Sequence, residues 1–217
     1  MVERIQSYYD KEYHNEYKKT ALLEDYSLNA RLNFFQSECI KKENAKVLDY
    51  GCGTGAILTG LKNIDKDGSY GVDISESAIE FAKSKFPDYN WKKISIDDVL
   101  PFNESFDVVI SSEVIEHIFD VDGYLRELHR VLKPNGILGL SCPFHGFIKD
   151  FLILVSGQFE KHFHNPYDPH IRFYSLKSIK RVLTKNSFEL VKKKSICPYF
   201  GLPFLSRMMA FKAKTIY

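Results

Sequence analysis

The chain has 217 residues, the size of one large domain rather than two. Hydrophobic residues make up 44% and charged residues 27%, the balance of a globular protein, and the formal net charge of +2 lacks the concentrated basic surface a nucleic-acid partner needs. Cys39, Cys52, Cys142 and Cys197 are scattered and form no CxxC pair. That counts against a zinc knuckle or disulfide framework and leads us to expect a reducing, cytoplasmic setting. The polar start of the chain does not read as a signal peptide, and no apolar run approaches the roughly 20 residues of a membrane-spanning helix.

In chain order, residues 1–45 read as an amphipathic helical cap, with Leu22, Leu23, Tyr26, Leu28, Leu32 and Phe35 as apolar contacts. From residue 46 short β-branched runs alternate with helical patterns. Lys46–Tyr50 reads as a strand ending at a glycine cluster, and Ala56–Leu61 as the opening of a helix. Ser69–Asp73 is a second strand; Ser75 then caps a helix whose apolar face carries Ala78, Ile79 and Ala82. Trp91–Ile96 is a weaker third strand. Phe106–Ser111 is a fourth, with the continuous apolar run of a strand covered on both faces. Leu125, Leu128, Val131 and Leu132 then keep helical spacing until Lys133-Pro134-Asn135-Gly136, and Ile137–Cys142 is a fifth strand. Alternation of this kind predicts an α/β fold, Rossmann-like and doubly wound, with a mostly parallel seven-stranded sheet.

Residues 46–143 are thus the expected core of a single domain. An insert follows over 144–175, with Ile148, Phe151, Leu152 and Val155 spaced as one helical face and a histidine-rich stretch behind them. Residues 176–217 hold a helix over Leu176–Thr184 and two strands, Phe188–Lys194 and Met208–Thr215, which complete the sheet as its antiparallel end.

The glycine turn Val47-Leu48-Asp49-Tyr50-Gly51-Cys52-Gly53-Thr54-Gly55 lets backbone approach a ligand with no Cβ between them. About 20 residues on, Asp73 ends the next strand, where a carboxylate can accept from both hydroxyls of a ribose. Both features also fit a dinucleotide site. Asp49 at the mouth of the turn favours S-adenosyl-L-methionine over NAD, because a carboxylate repels a pyrophosphate but attracts a methionine ammonium.

These segments resemble the class I S-adenosylmethionine-dependent methyltransferases. V-L-D-Y-G-C-G-T-G looks like their first motif and G-V-D-I-S like their acidic second-strand motif. Leu100-Pro101-Phe102, Ser105–Val109, Glu113-Val114-Ile115-Glu116-His117 and Arg130–Gly136 follow in the family's order, with an echo in His170-Ile171-Arg172-Phe173-Tyr174. The resemblance implies that Asp49, Gly51, Cys52, Gly53, Gly55, Asp73, Ile74, Asp97, Ser112 and Glu113 bind the cofactor. Asp97 would meet the adenine amino group, at a position shifted by one residue from the family's usual spacing, and Ser112 and Glu113 would border the reacting methyl.

Glu113, Glu116 and His117 form an E-x-x-E-H cluster beside the expected methyl position. It is similar to the metal motif of small-RNA 3′-end 2′-O-methyltransferases and to the matching segment of quinone-biosynthesis O-methyltransferases. Two carboxylates and an imidazole can hold magnesium or manganese, with His170 as the added ligand and His162 or His164 behind it. His117 as a general base, or a purely structural cluster, stays open. Phe147, Phe151, Phe159, Phe163 and Tyr167 in the insert would line an acceptor pocket or form the core of a helical lid, and a buried face best accounts for the apolar Ile148–Val155 and Tyr199–Met209. The functional expectation is methyl transfer to a small-molecule acceptor, most readily O-methylation of a sugar, a quinone-like phenol or another biosynthetic intermediate. RNA 2′-O-methylation and a non-catalytic S-adenosylmethionine-binding role are the competing readings.

Overall fold

A computed structural model describes residues 26–95, 99–103, 105–163 and 170–216. Leu22, Leu23, Asp97, His164 and Tyr167 lie outside the described residues. The elements are α1 (Tyr26–Phe34), continued by a wider turn over Phe35–Cys39, then β1 (Val47–Tyr50), α2 (Ala56–Gly60), β2 (Tyr70–Asp73), α3 (Glu76–Lys85), β3 (Asn90–Lys93) and β4 (Phe106–Ser112). A 3-10 turn over Ile115–His117 leads to α4 (Val121–Val131), β5 (Leu132–Pro143), α5 (Phe147–Val155), α6 (Phe159–Phe163), α7 (Leu176–Lys185), β6 (Phe188–Pro198) and β7 (Ser206–Thr215).

The seven strands form one sheet in the order β3-β2-β1-β4-β5-β7-β6. The first five pair in parallel; β7 runs antiparallel to both β5 and β6. The order reverses beside β1, so the carboxyl ends of β1 and β4 open a crevice where open α/β sheets take their ligands.

Burial explains the local choices. Leu48, Val109, Leu138 and Leu140 face a core completed by Leu125 and Leu128 of α4 and Ile179 and Leu183 of α7. Val47, Val108 and Ile110 face the opposite layer, with Phe34, Phe35, Leu58, Ile79 and Ala82. Central strands covered on both sides favour apolar residues on both faces, which is why β4 carries the Val108-Val109-Ile110 run and why all four residues of β1, Asp49 included, are buried. Ser75 caps α3, its side chain accepting from the Ala78 N–H at 3.2 Å.

Several boundaries move. The third strand ends at Lys93 rather than Ile96, and β6 runs on to Pro198. The Lys133–Gly136 segment loops out of β5, whose register jumps from Phe106↔Leu132 to Val108↔Ile137 while Asn135 takes a left-handed φ of 64°. Tyr26 is 73% exposed and is not the apolar contact its position suggests. The larger correction concerns α5: Ile148, Phe151, Leu152 and Val155 are all exposed, and Ile153 is the buried residue of the helix.

Candidate active site

The turn after β1 is held by the second strand. The Gly51 and Cys52 amides both donate to the Val72 carbonyl, at 2.8 and 3.0 Å. Gly51, Gly53 and Gly55 all have positive φ, at 75°, 50° and 85°. The space behind two of them is filled: a Cβ on Gly51 would sit 2.3 Å from the Val114 side chain, and one on Gly55 would sit 2.5 Å from Trp91. At Gly51 and Gly55 glycine is therefore required by conformation and by packing.

Asp73 fixes this turn. One of its carboxylate oxygens accepts the Gly53 N–H at 2.8 Å and the other the Ser75 N–H at 2.9 Å. The same side chain that would meet a ribose thus also ties the glycine turn to the start of α3. Ile74 beside it is half-buried against the core, and Cys52 is buried with its thiol toward the Gly53 carbonyl.

Asp49 is buried and accepts the Leu58 N–H at 3.2 Å. Burial pushes its pKa up to about 7, an effect reinforced by the charge of Asp73 and opposed by the Leu58 amide and Arg31. A buried carboxylate that ionises reluctantly gains from a cation delivered by a ligand. These features fit S-adenosylmethionine: an ammonium for Asp49, a ribose edge for Asp73 and a backbone turn with no phosphate cradle.

Arg31 is the site residue that sequence reasoning missed. It projects from α1 and donates to the Ser112 hydroxyl at 2.8 Å. Ser112 in turn shares a hydrogen bond with Ser141 at 3.0 Å, and Ser141 donates to Glu113 at 2.8 Å. The charge of Arg31 opposes the upward shifts of Asp49, Glu113 and Glu116 alike. A signal was present, because Arg31 stands among Leu28, Leu32 and Phe35 on the apolar stripe of the helix, where a lone cation needs a reason.

At the end of β4 the chain bends through Glu113, which has a φ of 59° and is strained for a residue with a side chain. The 3-10 turn then points Glu116 inward. Both Glu116 carboxylate oxygens are buried, with no hydrogen-bond partner among the described residues. Burial, and next the charge of Glu113, hold its pKa well above the usual carboxylate range; burial raises Glu113 too. Glu116 Oε1 lies 3.9 Å from His117 Nε2 and 4.0 Å from His170 Nε2. The two imidazoles stack, with centroids 4.9 Å apart.

His170 arrives from 53 residues downstream through a backbone staple. The Ile171 and Arg172 amides both donate to the Glu116 carbonyl, at 3.1 and 3.2 Å. The Arg172 guanidinium then reaches the Ile118 and Phe119 carbonyls. One atom each of Glu116, His117 and His170 falls within 4.8 Å of the others. A carboxylate with two imidazoles suits a divalent first-row ion, and the orphaned Glu116 oxygens are the atoms such an ion would satisfy. Glu113 lies outside that trio and is held by Ser141, while His162 is exposed on α6 and does not join it.

Comparison with known proteins agrees with this architecture. A family model described as a methyltransferase domain matches residues 41–162. Ubiquinone biosynthesis O-methyltransferase of Pelagibacter ubique is 29% identical over 118 residues, 53% of this chain and 48% of that protein. Its counterpart in Bradyrhizobium diazoefficiens is 34% identical over 116 residues, 52% of this chain and 45% of the relative. The match therefore spans less than half the length of these curated relatives. Among solved structures, a SAM-dependent methyltransferase of Thermotoga maritima superposes with a TM-score of 0.70 at 19% identity, covering 95% of this chain and 98% of its own. The [4+2]-cyclase SpnF superposes at 0.65 with 14% identity, covering 85% and 79%; these two likenesses speak to fold. With more than half of its length, 41–162, matching the family model around an intact glycine turn and second-strand acid, the chain belongs to the methyltransferase domain family.

Proposed function

We propose that the protein transfers the methyl group of S-adenosylmethionine to an oxygen of a small-molecule acceptor, and that Glu116, His117 and His170 hold a divalent ion beside the acceptor oxygen. The observation that carries the reading is the Glu116 carboxylate, buried against two stacked imidazoles just after β4, with neither oxygen hydrogen-bonded among the described residues. The O-methyltransferase relatives at about 30% identity support the acceptor class.

In this reading Asp49 takes the methionine ammonium, and Asp73 takes the ribose hydroxyls while holding Gly53 in place. Arg31 and Ser112 orient the methionine carboxylate end, and the Gly51–Gly55 turn sets the depth of the sulfonium. Methyl transfer from a sulfonium is an in-line displacement from a good leaving group, so alignment and a deprotonated nucleophile are what the protein must supply. A divalent ion, when bound, supplies Lewis-acid polarisation that lowers the pKa of an acceptor hydroxyl. With His117 engaged as a ligand its ring has no free acceptor nitrogen, so the proton of the acceptor hydroxyl would pass to water; His117 is the base only if no ion binds. Two imidazoles in the donor set suit manganese better than magnesium.

The test is calorimetric titration of Mn²⁺ and Mg²⁺ into protein saturated with S-adenosylhomocysteine, beside Glu116→Ala. Saturable binding that the substitution abolishes supports metal-assisted attack by oxygen and directs the acceptor search to vicinal diols and catechols. An absence of binding removes the ion and leaves His117 as a metal-free base. A failure to saturate with S-adenosylhomocysteine would overturn the cofactor assignment.

A further inference from the structure

The insert helix α5 is built the wrong way round for water. Seven of its nine residues, Phe147-Ile148 and Phe151-Leu152-Ile153-Leu154-Val155, are apolar, and only Ile153 is buried. Its two charged residues point back at the protein instead. Lys149 donates to the Phe144 carbonyl at 2.6 Å, and Asp150 pairs with His145 at 3.0 Å. Phe147, 85% exposed, stacks on Phe151 with centroids 6.3 Å apart. An apolar helix is ordinarily buried in a core or placed in lipid, and this one faces outward.

A second element extends the same surface. The Pro203–Leu205 turn packs against α5 and is tied to β6 by Ser195, which donates to the Pro203 carbonyl at 3.1 Å. The β6–β7 connection exposes Tyr199, Leu202 and Phe204, and Phe200 at its tip is 93% exposed. β6 runs parallel to β5, so this tip and α5 emerge at the same end of the sheet as the glycine turn.

The surrounding charge selects the partner. From residue 190 to the end the sequence carries no Asp or Glu, while it carries Lys192, Lys193, Lys194, Arg207, Lys212 and Lys214. Lys193, Lys194 and Arg207 are exposed on the strands that lead to and from the apolar tip, and exposed Lys161 and Glu160 lie on α6 beside α5. An apolar patch with a cationic rim is complementary to an anionic bilayer surface. A second copy docking by the same face would set one predominantly cationic rim against another.

We propose that α5 and the Tyr199–Leu205 tip form an interfacial membrane-docking surface, which inserts its aromatic and aliphatic side chains into the headgroup region of an anionic bilayer. Docking would turn the ligand crevice toward the lipid–water interface. The inference is independent of the metal and of the methyl acceptor.

The experiment is co-sedimentation of the full chain with vesicles of phosphatidylcholine alone and with about one third phosphatidylglycerol, at low and high salt. Wild type should bind the anionic vesicles, more weakly at high salt, and neutral vesicles less. Leu154→Glu combined with Phe200→Glu should weaken binding by about tenfold or more, and Phe200→Ser alone by about threefold. Both variants should keep wild-type circular dichroism and S-adenosylhomocysteine affinity, since the altered side chains are exposed; if the double variant misfolds, Phe200→Ser decides. The proposal is overturned if wild type binds neither vesicle, or if the folded variants bind as wild type does. It is also overturned if sedimentation without lipid reveals a dimer that the variants abolish while no vesicle binding is seen.

Discussion

Asp49 offers the sharpest test of the cofactor site. Its folded pKa of about 7 lies above the ordinary value of 3.8 because burial penalises the charge. The retained proton therefore stabilises the ligand-free fold fully below pH ~4, and that contribution is lost as pH rises through about 7. Three pKa units correspond to about 4 kcal/mol. Asp49→Asn cannot ionise, so urea unfolding of the ligand-free proteins from pH 4.5 to 8 should show wild type falling relative to the variant by an amount of that order. Ligand binding should show the converse. An ammonium beside Asp49 favours its ionised form, so S-adenosylhomocysteine affinity should tighten by up to about tenfold per pH unit as pH approaches 7, then level off. The variant should bind more weakly and without that slope. Parallel pH profiles for the two proteins, in stability and in affinity, would refute both the shift and the assignment of Asp49 to the ligand's cation.

Further outcomes follow from other contacts. Glu116→Gln should stabilise the ion-free protein at pH 8, because it replaces a buried group whose raised pKa makes the fold progressively less stable as pH rises; the same change should abolish Mn²⁺ binding, and urea midpoints with and without Mn²⁺ read both effects. Mn²⁺ binding to wild type should release protons, visible as a calorimetric enthalpy that varies with the buffer. Arg31→Ala should weaken S-adenosylhomocysteine affinity by about tenfold, through loss of the Ser112 contact and of a cation opposing the shift of Asp49. Gly51→Ala should cost about 1–3 kcal/mol, since its Cβ would overlap Val114 in a left-handed backbone, and adding Val114→Ala should recover part of that in thermal unfolding. Arg172→Ala should lower Mn²⁺ affinity by about tenfold or more while leaving S-adenosylhomocysteine binding intact, because it frees the staple that carries His170 to Glu116.

The alternating pattern alone determined the doubly wound sheet. An unbroken apolar run such as Val108-Val109-Ile110 has no solvent-facing side, so layers on both faces are the way to bury it. The glycine turn and Asp73 were equally legible, since chain chemistry at fixed spacing is local information. Tertiary structure decided what depended on distant partners. It brought His170 beside His117 through amides that donate to the Glu116 carbonyl, and it moved Glu113 out of that trio by giving it to Ser141. It placed Arg31 over Ser112, eighty-one residues away in the chain. It also reversed the reading of α5. Helical spacing of apolar residues identifies a face that avoids water, but what covers that face depends on elements from elsewhere in the chain. Here Lys149 and Asp150 take the protein side, and Phe147, Phe151 and Leu154 are left exposed.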